Sequence, residues 1–139
     1  IPFGKGRIAL NSDENETNTL CMVTYGMGVH WALNAAKNHK GKVEVLDLRT
    51  IHPLDEKLIF KRVNQHGKCM ILTEEPNNNS FAQSLAGRIQ ENCFDKLDAP
   101  IYVMGSENLP AIPLNSTLEA TMLPNADKVS KKINKILNY

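Results

Sequence analysis

"KVEVLDLRTIHPLDEKLIFKRVNQHGKCMILTEE", residues 42–75, holds one complete unit of a fold. Val43, Val45, Leu46 and Leu48 form a short apolar run that stops at Arg49. His52-Pro53 then marks a turn, because a residue before proline is pushed toward extended backbone. Asp55 and Glu56 favour the positive end of a helix dipole, and Leu58, Ile59 and Val63 recur at helical spacing. Gly67 closes that helix, and a second apolar run begins at Lys68. The stretch predicts a strand over 42–48, a helix over 55–64 and a strand over 68–73. Two apolar strands joined by a helix are a parallel pair with a crossover.

The same alternation extends both ways. TLCMVTY, residues 19–25, is β-branched and apolar and is bounded by Gly26 and Gly28, which predicts a buried strand. Residues 29–38 place apolar groups at 29, 32, 33 and 36, a helical face closed at Gly41. Downstream, "EEPNNNS" reads as a turn, and Ser80 caps a helix with Phe81, Leu85 and Ile89 on one side. A strand follows over 101–104. Pro110, Pro113 and Pro124 argue against regular structure between residues 105 and 124. Ala126, Val129, Ile133, Ile136 and Leu137 then return to helical spacing.

At the front, residues 6–10 (GRIAL) are a short strand and "NSDENETN" is a polar surface loop. Nearest-neighbour reasoning alone would pair that strand as a hairpin with residues 19–25. "IPFGK" reads as a linker, residues 1–5, entering from a preceding domain, so the domain proper is residues 6–139. Regular alternation from residue 19 onward predicts a mostly parallel sheet with helices on both faces.

Composition narrows the function. The chain has 139 residues, 42% of them hydrophobic and 22% charged, and a net charge of +1. Nothing in that balance points to nucleic acid or an anionic membrane as a partner. No apolar run approaches the roughly 18–20 residues of a membrane span. Cys21, Cys69 and Cys93 are far apart, with no CxxC pair and no histidine at metal-ligand spacing. They read as buried reduced thiols of a cytoplasmic-type compartment.

The chemistry-bearing positions are few. In a parallel sheet, ligands bind beyond the carboxyl ends of the strands. That edge would gather Gly26–Gly28, Arg49–His52, Glu74–Asn79 and Gly105–Glu107. Gly26-x-Gly28 opens like a dinucleotide fingerprint with Asp47 downstream, but Trp31 occupies its third small-residue position. The better reading is a tight strand-to-helix turn. His30 has no neighbouring carboxylate to orient it, and His52 suits a turn. Glu74 and Glu75 are adjacent on a strand and face opposite ways. The four lysines of "KVSKKINK" suit a solvated helix face and the negative helix end. No nucleophile, base and orienter come together, so the residues themselves read as a structural or interaction domain. Arg49 and His52-Pro53 read as a structural junction, with Arg49 long enough to reach a carboxylate at the sheet edge.

Taken in order, MVTYGMGVHWALNAA (22–36), VEVLDLRTIHPLD (43–55), CMILTEE (69–75), FDKLDAPIYVMG (94–105) and LPAIP with LEATMLP (109–124) resemble the C-terminal domain of transketolase-like enzymes. The likeness is greatest to the β subunit, or β half, of thiamine-diphosphate 2-oxo acid dehydrogenases of the pyruvate or branched-chain 2-oxoisovalerate type. Asn78-Asn79-Ser80-Phe81 departs from the glycine pair common in that family. Asparagine tolerates left-handed backbone, so the turn can persist.

The resemblance implies a three-layer α/β/α domain with a five-stranded, mostly parallel sheet whose first strand is antiparallel and lies away from its sequence neighbour. It implies thiamine diphosphate and magnesium in the intact enzyme, held by other domains, with no catalytic or cofactor residue in this chain. The activity implied is decarboxylation of a 2-oxo acid and acylation of a lipoyl group. The implied role here is subunit assembly, in a dimer or heterotetramer, and docking to the peripheral subunit-binding domain of an acyltransferase core. Asp98 and the carboxylate of Tyr139 match the docking positions, although Asp98 also suits a turn before Ala99-Pro100. The compartment implied is bacterial cytoplasm or mitochondrial matrix. Two rival readings are a nucleotide-binding regulatory module and the same domain of transketolase or 1-deoxyxylulose-5-phosphate synthase.

Overall fold

A computed structural model describes residues 2–110 and 113–139. Five strands form one sheet in the order β1-β3-β2-β4-β5. They are β1 (Arg7–Leu10), β2 (Leu20–Thr24), β3 (Val43–Asp47), β4 (Cys69–Pro76) and β5 (Tyr102–Ser106). The helices are α1 (Met27–Ala36), α2 (Glu56–His66), α3 (Phe81–Cys93), α4 (Ser116–Met122) and α5 (Ala126–Leu137). All strand pairs are parallel except β1 with β3.

The sheet separates two apolar layers, because alternate residues of a strand face opposite ways. Leu20, Met22, Val43, Val45, Met70 and Leu72 pack with α1 and α5. Cys21, Val23, Leu46, Leu48, Cys69 and Ile71 pack with α2 and α3. β2 is buried at all five positions, as expected of a central strand covered on both faces.

The hairpin expected from sequence proximity does not form. β2 has β3 on one side and β4 on the other, so it has no free edge for β1. β1 pairs instead with β3, Arg7 opposite Asp47 and Ile8 opposite Leu46, and its pattern of exposed ends fits an edge strand. The placement implied by the family resemblance is the one observed.

Local signals set most boundaries. Asp55 caps α2, its Oδ1 accepting the Leu58 N–H at 3.4 Å, and Gly67 ends that helix at φ 69°. Ser80 caps α3 by accepting the Gln83 N–H at 3.2 Å. Several expectations shift. α1 starts at Met27 and ends at Ala36, and Gly41 (φ 76°) lies beyond further turns rather than at the helix end. β4 runs through Glu74, Glu75 and Pro76, which therefore belong to a strand and not a loop. Its pairing with β5 is irregular between Leu72 and Pro76, which accommodates a proline in the ladder.

The proline-rich crossing contains α4. Pro113 and Pro124 bracket this helix without interrupting it, and the Asn115 side chain caps it through the Thr117 N–H at 2.9 Å. Ala111 and Ile112 lie outside the described residues.

Candidate functional site

The carboxyl ends of the strands assemble as the topology requires, and Asp47 and Glu75 there are engaged with neighbouring groups, while the buried Ser106 hydroxyl at the end of β5 has no partner. Asp47, at the end of β3, is buried. Its Oδ2 lies 3.3 Å from the Arg7 guanidinium and 3.6 Å from that of Arg49, and its Oδ1 accepts the Arg49 N–H at 3.1 Å. Arg49 thus reaches a carboxylate two residues behind it, and Asp47 joins the edge strand, through Arg7, to the turn. Asp47 is committed to that ion pair, and Trp31 is half-buried against the core.

Gly26 has φ 57°, in the left-handed region where glycine is unstrained. Gly28 serves close approach. A Cβ there would overlap Thr24 Oγ1 and lie 3.1 Å from the Leu72 carbonyl oxygen. The Gly26–Gly28 pair is therefore used to seat α1 on β2 and β4. His30 is exposed on α1 and His52 is exposed in its turn.

Glu74 and Glu75 diverge as their alternation requires: Glu74 is exposed and Glu75 half-buried. The Tyr25 hydroxyl donates to Glu75 Oε1, and Glu75 Oε2 accepts the Phe81 N–H at 2.9 Å. The Tyr25 and Thr73 hydroxyls are 2.9 Å apart. Burial, and next the bond to Glu75, push the Tyr25 hydroxyl up to about 12. Asn77 ties this strand end to β5 by accepting the Gly105 N–H at 2.6 Å. Asn79 adopts φ 57°, the left-handed geometry expected of an asparagine in the Asn78-Asn79 turn.

The amino end of the sheet holds a cluster that strand alternation alone conceals. Glu44, inside β3, is fully buried on the α2 side. Arg62 and His66 are four residues apart on α2 and therefore share a face toward it. Arg62 Nε donates to Glu44 Oε1 at 2.7 Å and a second guanidinium nitrogen meets Oε2. His66 Nε2 lies 3.3 Å from Glu44 Oε1, and its Nδ1 is 2.7 Å from the Thr19 hydroxyl. Burial alone would raise the Glu44 carboxyl; His66 and Arg62 outweigh it and hold the group below the usual carboxylate range. A charged residue at position two of the apolar run VEVLDL, followed by Arg62 and His66 on one helix face, was the available signal.

Asp98 and Tyr139, far apart in sequence, line one groove at this amino end. Gln90, Phe94, Leu97 and Pro100 complete a cavity of about 500 Å³. Asp98 is exposed, its N–H donates to the Gly67 carbonyl at 2.7 Å, and its carboxylate sits where a Gly67 side chain would otherwise project. Tyr139 is exposed, its hydroxyl 2.9 Å from that of Tyr102. Lys132 and Lys135 stand 5.0 and 5.5 Å from the Tyr102 ring centre, a cation–π pairing that occupies two of the four lysines of α5. A third, Lys128, donates to the Thr121 and Leu123 carbonyls at the end of α4.

All three cysteines are free and buried, and burial raises each thiol. Among the described residues no group of three or more His, Cys, Asp or Glu is arranged to hold a metal ion. No helix among them is long and apolar enough to cross a membrane.

Residues 11–129 match the family described as transketolase, C-terminal domain. The chain belongs to that family. As a transketolase C-terminal domain, it is 32% identical over its whole length to the 2-oxoisovalerate dehydrogenase subunit beta of Bacillus subtilis, of which it covers 42%. It is also 32% identical to the pyruvate dehydrogenase E1 component subunit beta of Rickettsia conorii, again covering 42%. The chain thus spans less than half the length of these curated relatives. Among solved structures, "Split gene transketolase, inactive beta4 tetramer" superimposes with a TM-score of 0.75 over 99% of this chain and 44% of that one. Its 18% identity makes that likeness one of fold. Within the transketolase C-terminal domain, Asp98 lies inside the matched residues and Tyr139 outside them.

Proposed function

We propose that the chain is the C-terminal domain of the β subunit, or β half, of a thiamine-diphosphate 2-oxo acid dehydrogenase. The intact enzyme decarboxylates a 2-oxo acid and transfers the acyl group to a lipoyl group, and this domain serves assembly. The observation that carries the reading is identity of 32% across the whole chain to β subunits named for 2-oxoisovalerate and for pyruvate. Residues 1–5 are the linker from an upstream domain and residues 6–139 the domain itself.

Thiamine diphosphate and magnesium, when bound, supply the carbanion chemistry of the intact enzyme. The residues of this chain do not fit that group. Asp47 is taken by Arg7 and Arg49, and Glu75 by Tyr25 and the Phe81 amide. The chain's contribution is a rigid body at a subunit interface, with no step of the chemistry routed through it.

The groove of Phe94, Asp98 and Tyr139 is the docking surface for the peripheral subunit-binding domain of the acyltransferase core. Its exposed carboxylate and aromatic side chains suit basic residues of a partner, and such contacts give fast, salt-sensitive association. The experiment is co-expression of the full reading frame with its α subunit, in bacterial cytoplasm or mitochondrial matrix as the source dictates. Thiamine-dependent turnover of 2-oxoisovalerate or pyruvate by the assembly, and none by residues 1–139 alone, is expected. Turnover by the 139 residues alone overturns the assignment. For the groove, Asp98→Asn preserves shape and should weaken binding of the peripheral domain and flatten its salt dependence. Unchanged affinity and salt slope remove Asp98 from the interface.

A further inference from the structure

Two helices end side by side at the amino end of the sheet, and their terminal carbonyls are already occupied. At the end of α1, the carbonyls of Asn34, Ala35, Ala36 and His39 accept the N–H groups of Lys37, Asn38, His39 and Lys42. At the end of α5, the Leu137 carbonyl accepts Asn18 Nδ2 at 2.8 Å and the ammonium of buried Lys68 at 3.3 Å. Lys68 also donates to Asn18 Oδ1 at 2.7 Å. Acceptors at this junction are thus satisfied within the fold, and the groups left over are donors.

A cavity of about 340 Å³ lies between the two helix ends. Asn38, His39, Lys40 and Lys42 line it from the turn after α1, and Asn134 and Asn138 from α5 and its end. Among the described residues, the side chains of Lys40 and Lys42 make no ion pair, and the three asparagine amides make no hydrogen bond. No carboxylate lines the cavity. Asp13, which packs against Gly41, lines the neighbouring cavity instead, together with Glu14 and Glu16. Two ammonium groups and several amide donors with no competing carboxylate are complementary to an oxyanion.

The buried wall of the cavity carries the same sign. His39 Nε2 lies 2.8 Å from Ser130 Oγ on α5. Burial lowers the His39 imidazole, the Ser130 contact opposes that, and the Lys42 ammonium lowers it further. The charge of Lys42 is therefore felt inside the cavity. Lys40 also lines an adjoining cavity of about 430 Å³ walled by Leu10, Leu33 and Ala36. A cationic compartment thus opens beside an apolar one, with Lys40 between them.

We infer that the cavity between the ends of α1 and α5 is a phosphate-binding site, in which Lys40 and Lys42 hold the oxyanion and Asn134 and Asn138 donate to it. The site is independent of the proposed 2-oxo acid chemistry.

Hydrogen–deuterium exchange of the full-length chain in its assembled enzyme, read by mass spectrometry, tests it. Inorganic phosphate, phenyl phosphate and chloride are compared at equal ionic strength. Either phosphate should slow exchange in peptides covering residues 37–42 and 134–139, and chloride should not. Lys42→Gln should raise the phosphate concentration for half-protection at least about ten-fold. Asn134→Asp should do the same, because it keeps the shape of an exposed side chain while adding a carboxylate to the cavity. The His39 ring, followed by deuterium uptake at its carbon, should titrate higher in phosphate than in chloride, since a nearby anion favours the charged imidazole. Phenyl phosphate acting at lower concentration than inorganic phosphate assigns the site to a phosphomonoester; equal concentrations assign it to the free ion. No protection by either phosphate, equal protection by chloride, or a half-protection concentration unmoved by both substitutions overturns the inference.

Discussion

The two ends of the sheet solve opposite problems. At the amino end, charged and polar side chains are drawn inside: Glu44 is bonded by Arg62, His66 Nδ1 by Thr19, and Lys68 by Asn18 and the Leu137 carbonyl, while His66 Nε2 stands 3.3 Å from Glu44 without a hydrogen bond. At the carboxyl end, polar groups such as Asp47 and Glu75 also find partners, but large apolar side chains are left in water. A buried ion pair is costly to form and costlier to break, so it defines one packing of α2 on the sheet. An exposed apolar edge costs little in the isolated domain and gains when covered. The difference is one of composition: one end draws charge into its interior and the other leaves apolar side chains in water.

The largest expected effect lies at the amino end. Glu44→Gln leaves the Arg62 guanidinium facing a neutral amide in a buried site, and should destabilise the fold by about 3 kcal/mol. Chemical denaturation of the two proteins measures it, and a loss below about 1 kcal/mol would mean that Arg62 simply swings to solvent.

The same cluster sets a pH dependence with a definite sign. The folded Glu44 carboxyl titrates below its unfolded value of 4.5. Its contribution is therefore complete above that value and is lost as pH falls through the folded one. Melting temperature followed from neutral pH down to about pH 3 should drop more steeply for the parent chain than for Glu44→Gln. Parallel curves would break the assignment of acid sensitivity to this end.

At the carboxyl end the expected costs come from backbone approach. Gly105→Ala would drive a Cβ into the Glu75 carbonyl oxygen, at a cost of about 2 kcal/mol. The smallest effect is expected at Arg49, which holds φ 62°. Arg49→Gly relieves that geometry but gives up the Asp47 contact and gains unfolded-state freedom, so its net effect should stay within about 0.5 kcal/mol. A larger loss at Arg49 than at Gly105 would show that charge, rather than close packing, holds the strand-end turns.

Much of this architecture was legible because it is local. Alternating apolar residues in VEVLDL, the cap at Asp55, the glycine at 67 and the spacing of Val129, Ile133 and Ile136 each act within a few residues of themselves. α4 was missed because its prolines were counted as breakers, although Pro113 and Pro124 lie on either side of it. β4 was read too short because Glu74, Glu75 and Pro76 resemble a turn. The irregular pairing with β5 that admits them is a property of two strands and not of one. The placement of β1 came from family resemblance, since its own four residues say nothing of which edge is vacant.

By itself, the amino-acid sequence determined most of the order of strands and helices and the apolar faces that bury them. Those follow from periodicity and from caps whose energies are short-ranged. Tertiary structure alone decided that Glu44 meets Arg62 and His66, that Asp98 and Tyr139 share a groove, and that exposed Met27, Ile51 and Leu109 share one end of the sheet. Each joins residues distant along the chain, and only strand order and crossover direction bring them together.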